Sequence, residues 1–390
     1  MTVLREITFD DLLSRQRARG RRLPYAGTVE TTYRCNLACA HCYVNQPAGS
    51  REEQERELTT ERLLRLVDEI ADEGGIDLLF TGGEVLVRPD FEVVYRHARG
   101  RGLLVTVFTN GTLVTERVAD LFAREPPLSV EISLYGMTRE TYERVTQVPG
   151  SFEKCREGIR RLVERKVPLK LKTMALEWNA HEVEAMADYA ASLGLEFRFD
   201  ALVNARVDCG ADRKRELQVG VRRAAELTRA SPARLAELKA FCEKHVVPQR
   251  PEDDPRVYSC GAGDVSFTVD PYGRLQMCQL SRRSGFDLRE GSFAEGWQRH
   301  FPALRERPWH TAAPCRACSL KPMCGSCPGA AELEHGNPEG MVRHFCEIAH
   351  AEAFVAMGAV AGHRADASCC TGRLPAEQEP PLVRLQRRRD

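Results

Sequence analysis

Six short aliphatic or β-branched runs alternate with amphipathic helical stretches between residues 27 and 203. The pattern predicts strands at Thr28–Tyr33, Ile76–Thr81, Leu103–Thr109, Leu128–Leu134, Leu169–Leu176 and Leu195–Leu202. It predicts helices at Glu61–Glu73, Phe91–Arg99, Glu116–Arg124, Phe152–Arg165 and His181–Leu193, stopped by Gly74, Gly75, Gly102 and Gly194. Repeated βα units require a parallel sheet with helices outside it. Periodicity alone leaves two architectures open, a partly closed barrel and an open doubly wound sheet. Both place chemistry at the carboxyl ends of the strands. The distinctive residues collect there: the first strand runs into Cys35, the second into Gly82-Gly83-Glu84 and the third into Thr109-Asn110-Gly111, while the fourth carries Ser133.

The chain has 390 residues, of which 43% are hydrophobic and 29% charged, enough for two or three packed domains. Its 56 basic residues are balanced by 56 acidic ones, so no net field draws it to nucleic acid or anionic lipid. No apolar run reaches the length of a spanning helix, and residues 1–25 are polar and Arg-rich, unlike a signal peptide. A cytoplasmic protein without nucleic-acid or membrane partners is expected.

Fifteen cysteines, an odd number, exclude complete pairing within one chain, and a reducing compartment favours metal binding. Cys35, Cys39 and Cys42 form an early group; Cys260, Cys278, Cys315, Cys318, Cys324, Cys327 and Cys346 form a late one. Cys155, Cys209, Cys242, Cys369 and Cys370 read as small buried hydrophobes or incidental thiols. Cys35-x3-Cys39-x2-Cys42 sets three thiols on one loop after a strand. A cubane iron–sulfur cluster takes four ligands, so three suggest one iron left open. Structural zinc stays an alternative, for which His41 lies awkwardly inside the loop.

The Cys35/Cys39/Cys42 loop, with His41 before its last cysteine and Gly82-Gly83-Glu84 after the second strand, resembles the radical S-adenosylmethionine (SAM) superfamily over roughly residues 27–203. The resemblance implies a partial (β/α)6 TIM-like barrel. It also implies a [4Fe-4S] cluster on Cys35, Cys39 and Cys42 whose open iron is chelated by the amino and carboxylate groups of SAM, with reductive cleavage to methionine and a 5′-deoxyadenosyl radical. On the same resemblance Gly82, Gly83 and Glu84 hold the methionine amino group through a carboxylate or carbonyl. Ser133 matches a ribose-contacting position, and Arg144 a position that pairs with the SAM carboxylate, a task suited to a guanidinium fork. Thr109 and Asn110 line the cofactor, and His41 packs near the adenine or stays an exposed loop residue.

The late cysteines resemble the SPASM extension of radical SAM enzymes that modify peptides, over about residues 258–350. That likeness implies two auxiliary iron–sulfur clusters of the [4Fe-4S] type, one on Cys315, Cys318, Cys324 and Cys346, the other on Cys260, Cys278 and Cys327. Its fifth and sixth cysteines are separated by Gly325-Ser326 alone, one residue fewer than usual. The second set lacks a fourth cysteine, a place open to substrate, water or Asp264. Zinc on Cys315/Cys318/Cys324/Cys327 is the competing reading, although zinc ribbons separate their cysteine pairs by about 12–20 residues.

The expected layout is an N-terminal extension (1–26), a radical SAM core (27–204), a helical bridge (205–258), a small cysteine-rich auxiliary-cluster domain (259–350), and a C-terminal helix with a loose tail (351–390). The bridge helices are expected at Asp212–Arg229 and Pro232–His245, a hairpin around Pro271-Tyr272-Gly273, and a closing helix at Glu347–Ala361. The implied substrate is a ribosomally made peptide, served by a separate leader-binding protein and by flavodoxin or ferredoxin as electron donor. The Arg15–Arg22 cluster is a candidate contact for an acidic leader. Alternatives are a sulfatase-type side chain, disfavoured because Gln279 rather than an aspartate follows Cys278, and a small molecule such as a tetrapyrrole. Asp270 reads as a turn cap.

Overall fold

The computed structural model describes residues 20–207, 214–246, 255–360 and 362–368. Most of the N-terminal extension and of the Arg15–Arg22 cluster, Cys209, Cys369, Cys370, residues 248–254 and the tail lie outside the described residues.

The chain opens with β1 (Ala26–Thr32), β2 (Arg34–Cys35), β3 (Gln46–Pro47), α1 (Arg51–Arg56) and α2 (Thr60–Asp72). There follow β4 (Asp77–Gly82), α3 (Phe91–Gly100), β5 (Leu104–Thr109), α4 (Glu116–Arg124) and β6 (Ser129–Ser133). Two helices, α5 (Arg139–Thr146) and α6 (Ser151–Glu164), precede β7 (Leu169–Met174), α7 (Val183–Ser192) and β8 (Glu196–Asp200). The bridge holds α8 (Lys214–Leu217), α9 (Val221–Ala230) and α10 (Pro232–His245); beyond it come β9 (Ser266–Val269), β10 (Arg274–Gln276) and β11 (Phe286–Asp287). Helices α11 (Phe293–Glu295), α12 (Phe301–Arg305), α13 (Pro328–His335) and α14 (Arg343–Met357) complete the described chain.

Nine strands form one sheet in the order β11-β10-β9-β1-β4-β5-β6-β7-β8. From β9 to β8 every pairing is parallel, so the expected partial (β/α)6 barrel is present and open between β8 and the hairpin end. The hairpin forms as expected, with Leu275 opposite Val269. Its first strand then pairs in parallel with β1, Ala26 opposite Ser266 through Val29 opposite Val269, so the chain beyond the bridge extends the same sheet.

The core lies between this sheet and the outer helices. Val105, Val107, Val130, Ile132, Leu169 and Leu171 face it from the strands, and Leu66, Phe122, Ile159 and Met186 from the helices. The bridge differs from the single helix expected over 212–229: the chain leaves the helix at Gln218 to pair with Leu176, and α9 starts again after the extended Gly220. Helix α14 begins four residues earlier than expected and stops at Gly358, which adopts φ +76°. The bridge packs on α14 through Glu352, which accepts from Thr228 Oγ1 at 2.8 Å and from Arg234 Nη2 at 3.1 Å. Among the described residues no helix is long and apolar enough to cross a membrane.

Phe122 is fully buried on α4, its ring 5.3 Å from that of Tyr95 on α3. Phe122→Ala should cost about 3–5 kcal/mol by cavity formation, read as a lowered melting temperature with the helical circular-dichroism signal retained below it.

Candidate active site

The cysteine loop is held from both sides by backbone. A register shift between Glu30 and Thr32 bends the end of β1, and Arg34 and Cys35 then pair in parallel with Gln46 and Pro47, closing the loop that carries the three thiols. From α5, the carbonyls of Thr146 and Val145 accept the N–H groups of Ala38 and Ala40 at 3.0 and 2.9 Å. These are carbonyls of the last helical turn, which lack partners within the helix.

Gly82 and Gly83 press against the strand that leads into Cys35. Gly83 N–H donates to Thr32 O at 2.6 Å, and Glu84 N–H to Arg34 O at 3.0 Å. A Cβ on Gly82, at φ +132°, would lie 2.1 Å from Thr32 O; one on Gly83 would lie 2.4 Å from Arg34 O. Only glycine fits at either place.

Glu84 is fully buried, and its carboxylate accepts from Leu86 N–H at 3.1 Å, Thr109 Oγ1 at 2.8 Å and Asn110 N–H at 2.7 Å. Burial raises its pKa, while the donors from Asn110, Thr109 and Leu86 work against that shift. The carboxylate thus ties the end of β4 to the end of β5. Asn110 continues the tie, donating to Asn36 Oδ1 at 3.0 Å and towards Cys35 Sγ at 3.8 Å, while Asn36 donates to Thr112 Oγ1 at 2.8 Å. Beneath the loop, Arg34 forks onto Glu57 at 2.9 and 3.0 Å, and Arg88 joins the same carboxylate at 3.3 Å. Asn36, Thr112, Glu57 and Arg88 carried no sequence signal, because their role comes from distant partners.

Burial, and then Glu84, push the Cys35 thiol up to about 12; burial and the two neighbouring cysteines raise Cys39 as well. A metal bound there would displace a proton from each thiol. His41 is half-buried, packed edge-on to Tyr135 at 4.9 Å; desolvation lowers its pKa to about 4, and its Nδ1 is enclosed without a hydrogen-bond partner among the described residues. It is not the exposed loop histidine of the alternative expectation. Ser133 ends β6, two residues before Tyr135. Arg144 is exposed on α5, its guanidinium 4.5 Å from the Trp178 ring centroid.

The late cysteines fall into two neighbouring sets. Cys315, Cys318, Cys324 and Cys346 line one cavity, together with Ser326 and His350. Cys278, pushed up to about 11 by burial, has Cys327 and Cys260 as its electrostatic neighbours. The sets adjoin, since Cys327 also contributes to raising Cys324, itself pushed to about 12 mainly by burial. Among the described residues no three or more His, Cys, Asp or Glu side chains converge on a single-ion site. Asp270 caps the hairpin turn as expected, accepting from Tyr272 N–H at 3.0 Å and Arg274 N–H at 2.9 Å.

One ion pair joins the early and late cysteine segments. Arg282, four residues after Cys278, forks onto the fully buried Glu30 of β1 at 2.8 and 3.0 Å. The same carboxylate accepts from Tyr33 Oη at 2.9 Å and Tyr43 Oη at 3.4 Å, residues that flank Cys35 and Cys42. Burial disfavours the Arg282 cation, but Glu30 outweighs it and raises its pKa.

The sequence profile of the Radical SAM superfamily matches residues 29–190. An AdoMet-dependent heme synthase of Methanosarcina barkeri is 27% identical over 332 residues, covering 79% of this chain and 92% of that protein. The antilisterial bacteriocin subtilosin biosynthesis protein AlbA of Bacillus subtilis is 27% identical over 314 residues, covering 78% of this chain and 67% of that protein. Among solved structures, Streptococcus suis SuiB bound to precursor peptide SuiA superposes with a TM-score of 0.65 at 14% identity, over 85% of this chain and 78% of that one. The shared property with SuiB is the fold.

Gly83→Ala should force the strand entering Cys35 to move and destabilise the protein by about 1–3 kcal/mol. Gly49→Ala is the control, since a Cβ there meets nothing within 4 Å. Thermal melts of the two variants should differ by that amount.

Proposed function

Because residues 29–190 are a radical SAM domain, we propose that this enzyme binds SAM at a [4Fe-4S] cluster held by Cys35, Cys39 and Cys42 and oxidatively modifies a ribosomally made peptide. The bound cluster and SAM supply one electron and a 5′-deoxyadenosyl radical, chemistry that no side chain offers. The chain's own work is orientation. Gly82 and Gly83 set the cysteine loop, and Glu84, spent on Thr109 and Asn110, leaves the neighbouring backbone carbonyls to receive the methionine amino group. Ser133 would contact the ribose, His41 and Tyr135 would give the adenine an apolar wall, and Arg144 would pair with the SAM carboxylate.

The reading assigns residues 27–204 to the radical core, 205–258 to the bridge and 259–350 to an auxiliary domain with two further clusters, on Cys315/Cys318/Cys324/Cys346 and on Cys260/Cys278/Cys327. The observation that carries it is the separation of seven late cysteines into two thiol-lined sets beside the radical core. The similarity to AlbA, a bacteriocin biosynthesis protein, supports a peptide substrate; a separate leader-binding protein and a flavodoxin or ferredoxin as donor are part of the same proposal. A second reading, a tetrapyrrole substrate, is supported by the heme synthase matched over 92% of its length. Gln279 in place of an aspartate beside Cys278 disfavours a sulfatase-type reaction, which would need its base elsewhere.

Anaerobic reconstitution should give about twelve irons per chain with matching sulfide; about four irons plus one zinc would remove the auxiliary clusters and with them the peptide reading. Cys35→Ala should abolish 5′-deoxyadenosine formation, whereas Cys318→Ala should retain it and lose about a third of the iron. Wild-type product from Cys35→Ala would sink the assignment. Arg282→Met leaves Glu30 buried without its cation, and should destabilise the protein by about 3–5 kcal/mol and alter the electron paramagnetic resonance of the reduced SAM-bound cluster.

A further inference from the structure

The inner face of the sheet is charged where a barrel built only for stability would be filled with branched aliphatic side chains. Side chains alternate across a strand. The positions between the core valines and leucines of β5–β8 therefore point away from the helices: Phe108, Glu131, Ser133, Lys170, Lys172 and Arg198. Register sets Phe108 beside Glu131, Ser133 beside Lys172, and Lys172 beside Arg198. Ser133 is the link to the cysteine loop, since Tyr135 just beyond it packs on His41. The charged positions thus share β6 with Ser133 and adjoin it in register through Lys172.

Around Glu131 the charges do not balance. Its Oε2 lies 2.6 Å from Arg198 Nη2 and 3.4 Å from Lys172 Nζ, so one carboxylate serves two cations. Lys170 has its own partner, Glu196 at 2.7 Å. Asp200, next along the inner side of β8, accepts from Leu202 N–H at 2.8 Å. The side chains of Lys172 and Glu131 are 16% and 12% exposed, whereas Arg198 is 51% exposed on the last strand, where the sheet is open. Burial pulls the Lys172 pKa well below its ordinary value; Glu131 opposes this and Arg198 reinforces it. Lys172 Nζ also packs over the Phe108 ring, 2.6 Å from its centroid; a cation pair that shares one counterion is stabilised further by a second carboxylate, and the half-exposed guanidinium of Arg198 has the donors to fork onto it.

We propose that Lys172 and Arg198 form a carboxylate-binding subsite for the substrate on the inner face of the sheet. This rests on the radical SAM reading and adds a required chemical property of the substrate. An acidic side chain or C-terminus of a peptide supplies the carboxylate, as do the propionates of a tetrapyrrole. Lys172 and Arg198 act here as specificity-determining residues.

The test is equilibrium binding to the reconstituted, SAM-loaded protein by titration calorimetry, with two matched pairs of probes. One pair is acetyl-Ala-Glu-Ala-amide against its Gln counterpart; the other is coproporphyrin III against its tetramethyl ester. In the wild type at least one acid should bind about tenfold more tightly than its neutral partner, and the pair that shows this identifies the source. Arg198→Gln, and independently Lys172→Met, should bring that ratio close to one, while Lys170→Gln should preserve it. Arg198→Lys should recover part of the preference, separating charge recognition from a packing role. The proposal is overturned if neither acid is preferred at concentrations up to about 10 mM, or if the preference survives both Arg198→Gln and Lys172→Met. Formation of 5′-deoxyadenosine by the wild type without substrate is measured in parallel. Its absence would defeat the radical reading alone, because the binding ratio does not depend on turnover.

Discussion

The buried carboxylate of Glu30 sits where the early and late cysteine segments meet. A carboxylate removed from water is costly unless it is paired and its remaining lone pairs are filled. Here the pairing is the two-pronged contact from Arg282, and the lone pairs are filled by Tyr33 and Tyr43. The two tyrosines bracket the cysteine loop, and the arginine comes from the segment after Cys278. Satisfying one charge therefore fixes the loop, the strand beneath it and the late cysteine segment in a single arrangement. The Arg34–Glu57–Arg88 cluster works in the same way one layer out, and it too is almost wholly removed from solvent.

The six strands of the barrel were legible because period-two alternation and flanking glycines are local signals. Each observed strand begins or ends within about two residues of its expected place. Helix α5 was not legible: Arg139–Thr146 is short and mostly polar, and it is stabilised by burying Thr141, Tyr142, Val145 and Thr146 against its neighbours. The hairpin was legible as a hairpin, yet its parallel partner was not, since strand adjacency across more than two hundred residues leaves no trace in periodicity. For the site, cysteine spacing and Gly82-Gly83-Glu84 marked the right strand ends. The internal engagement of the Glu84 carboxylate, and the reach of Arg282 to Glu30, depend on tertiary contacts that no spacing encodes.

The two faces of the sheet follow different rules. Towards the helices the alternate side chains are mostly apolar and buried, as Val105, Val107, Val130, Ile132 and Leu171 are, which supplies the stability. Towards the inside the same strands carry Glu131, Lys172 and Arg198, whose desolvation works against folding and is offset only in part by their mutual contacts. Uncompensated polarity on the inner face of an otherwise well-packed barrel is characteristic of a surface shaped for a ligand.

The parallel pairing of β9 with β1 has a consequence for how the chain is made. Strand β1 leaves the ribosome well before the partner for its outer edge, Ser266–Val269, is made. Until then β1 presents an unpaired strand edge, the kind of template that recruits other chains. At typical elongation rates of about 5–20 residues per second that interval lasts on the order of ten seconds or more. Biosynthesis thus contains a window in which the half-made barrel is exposed to aggregation, and it closes only when the hairpin docks.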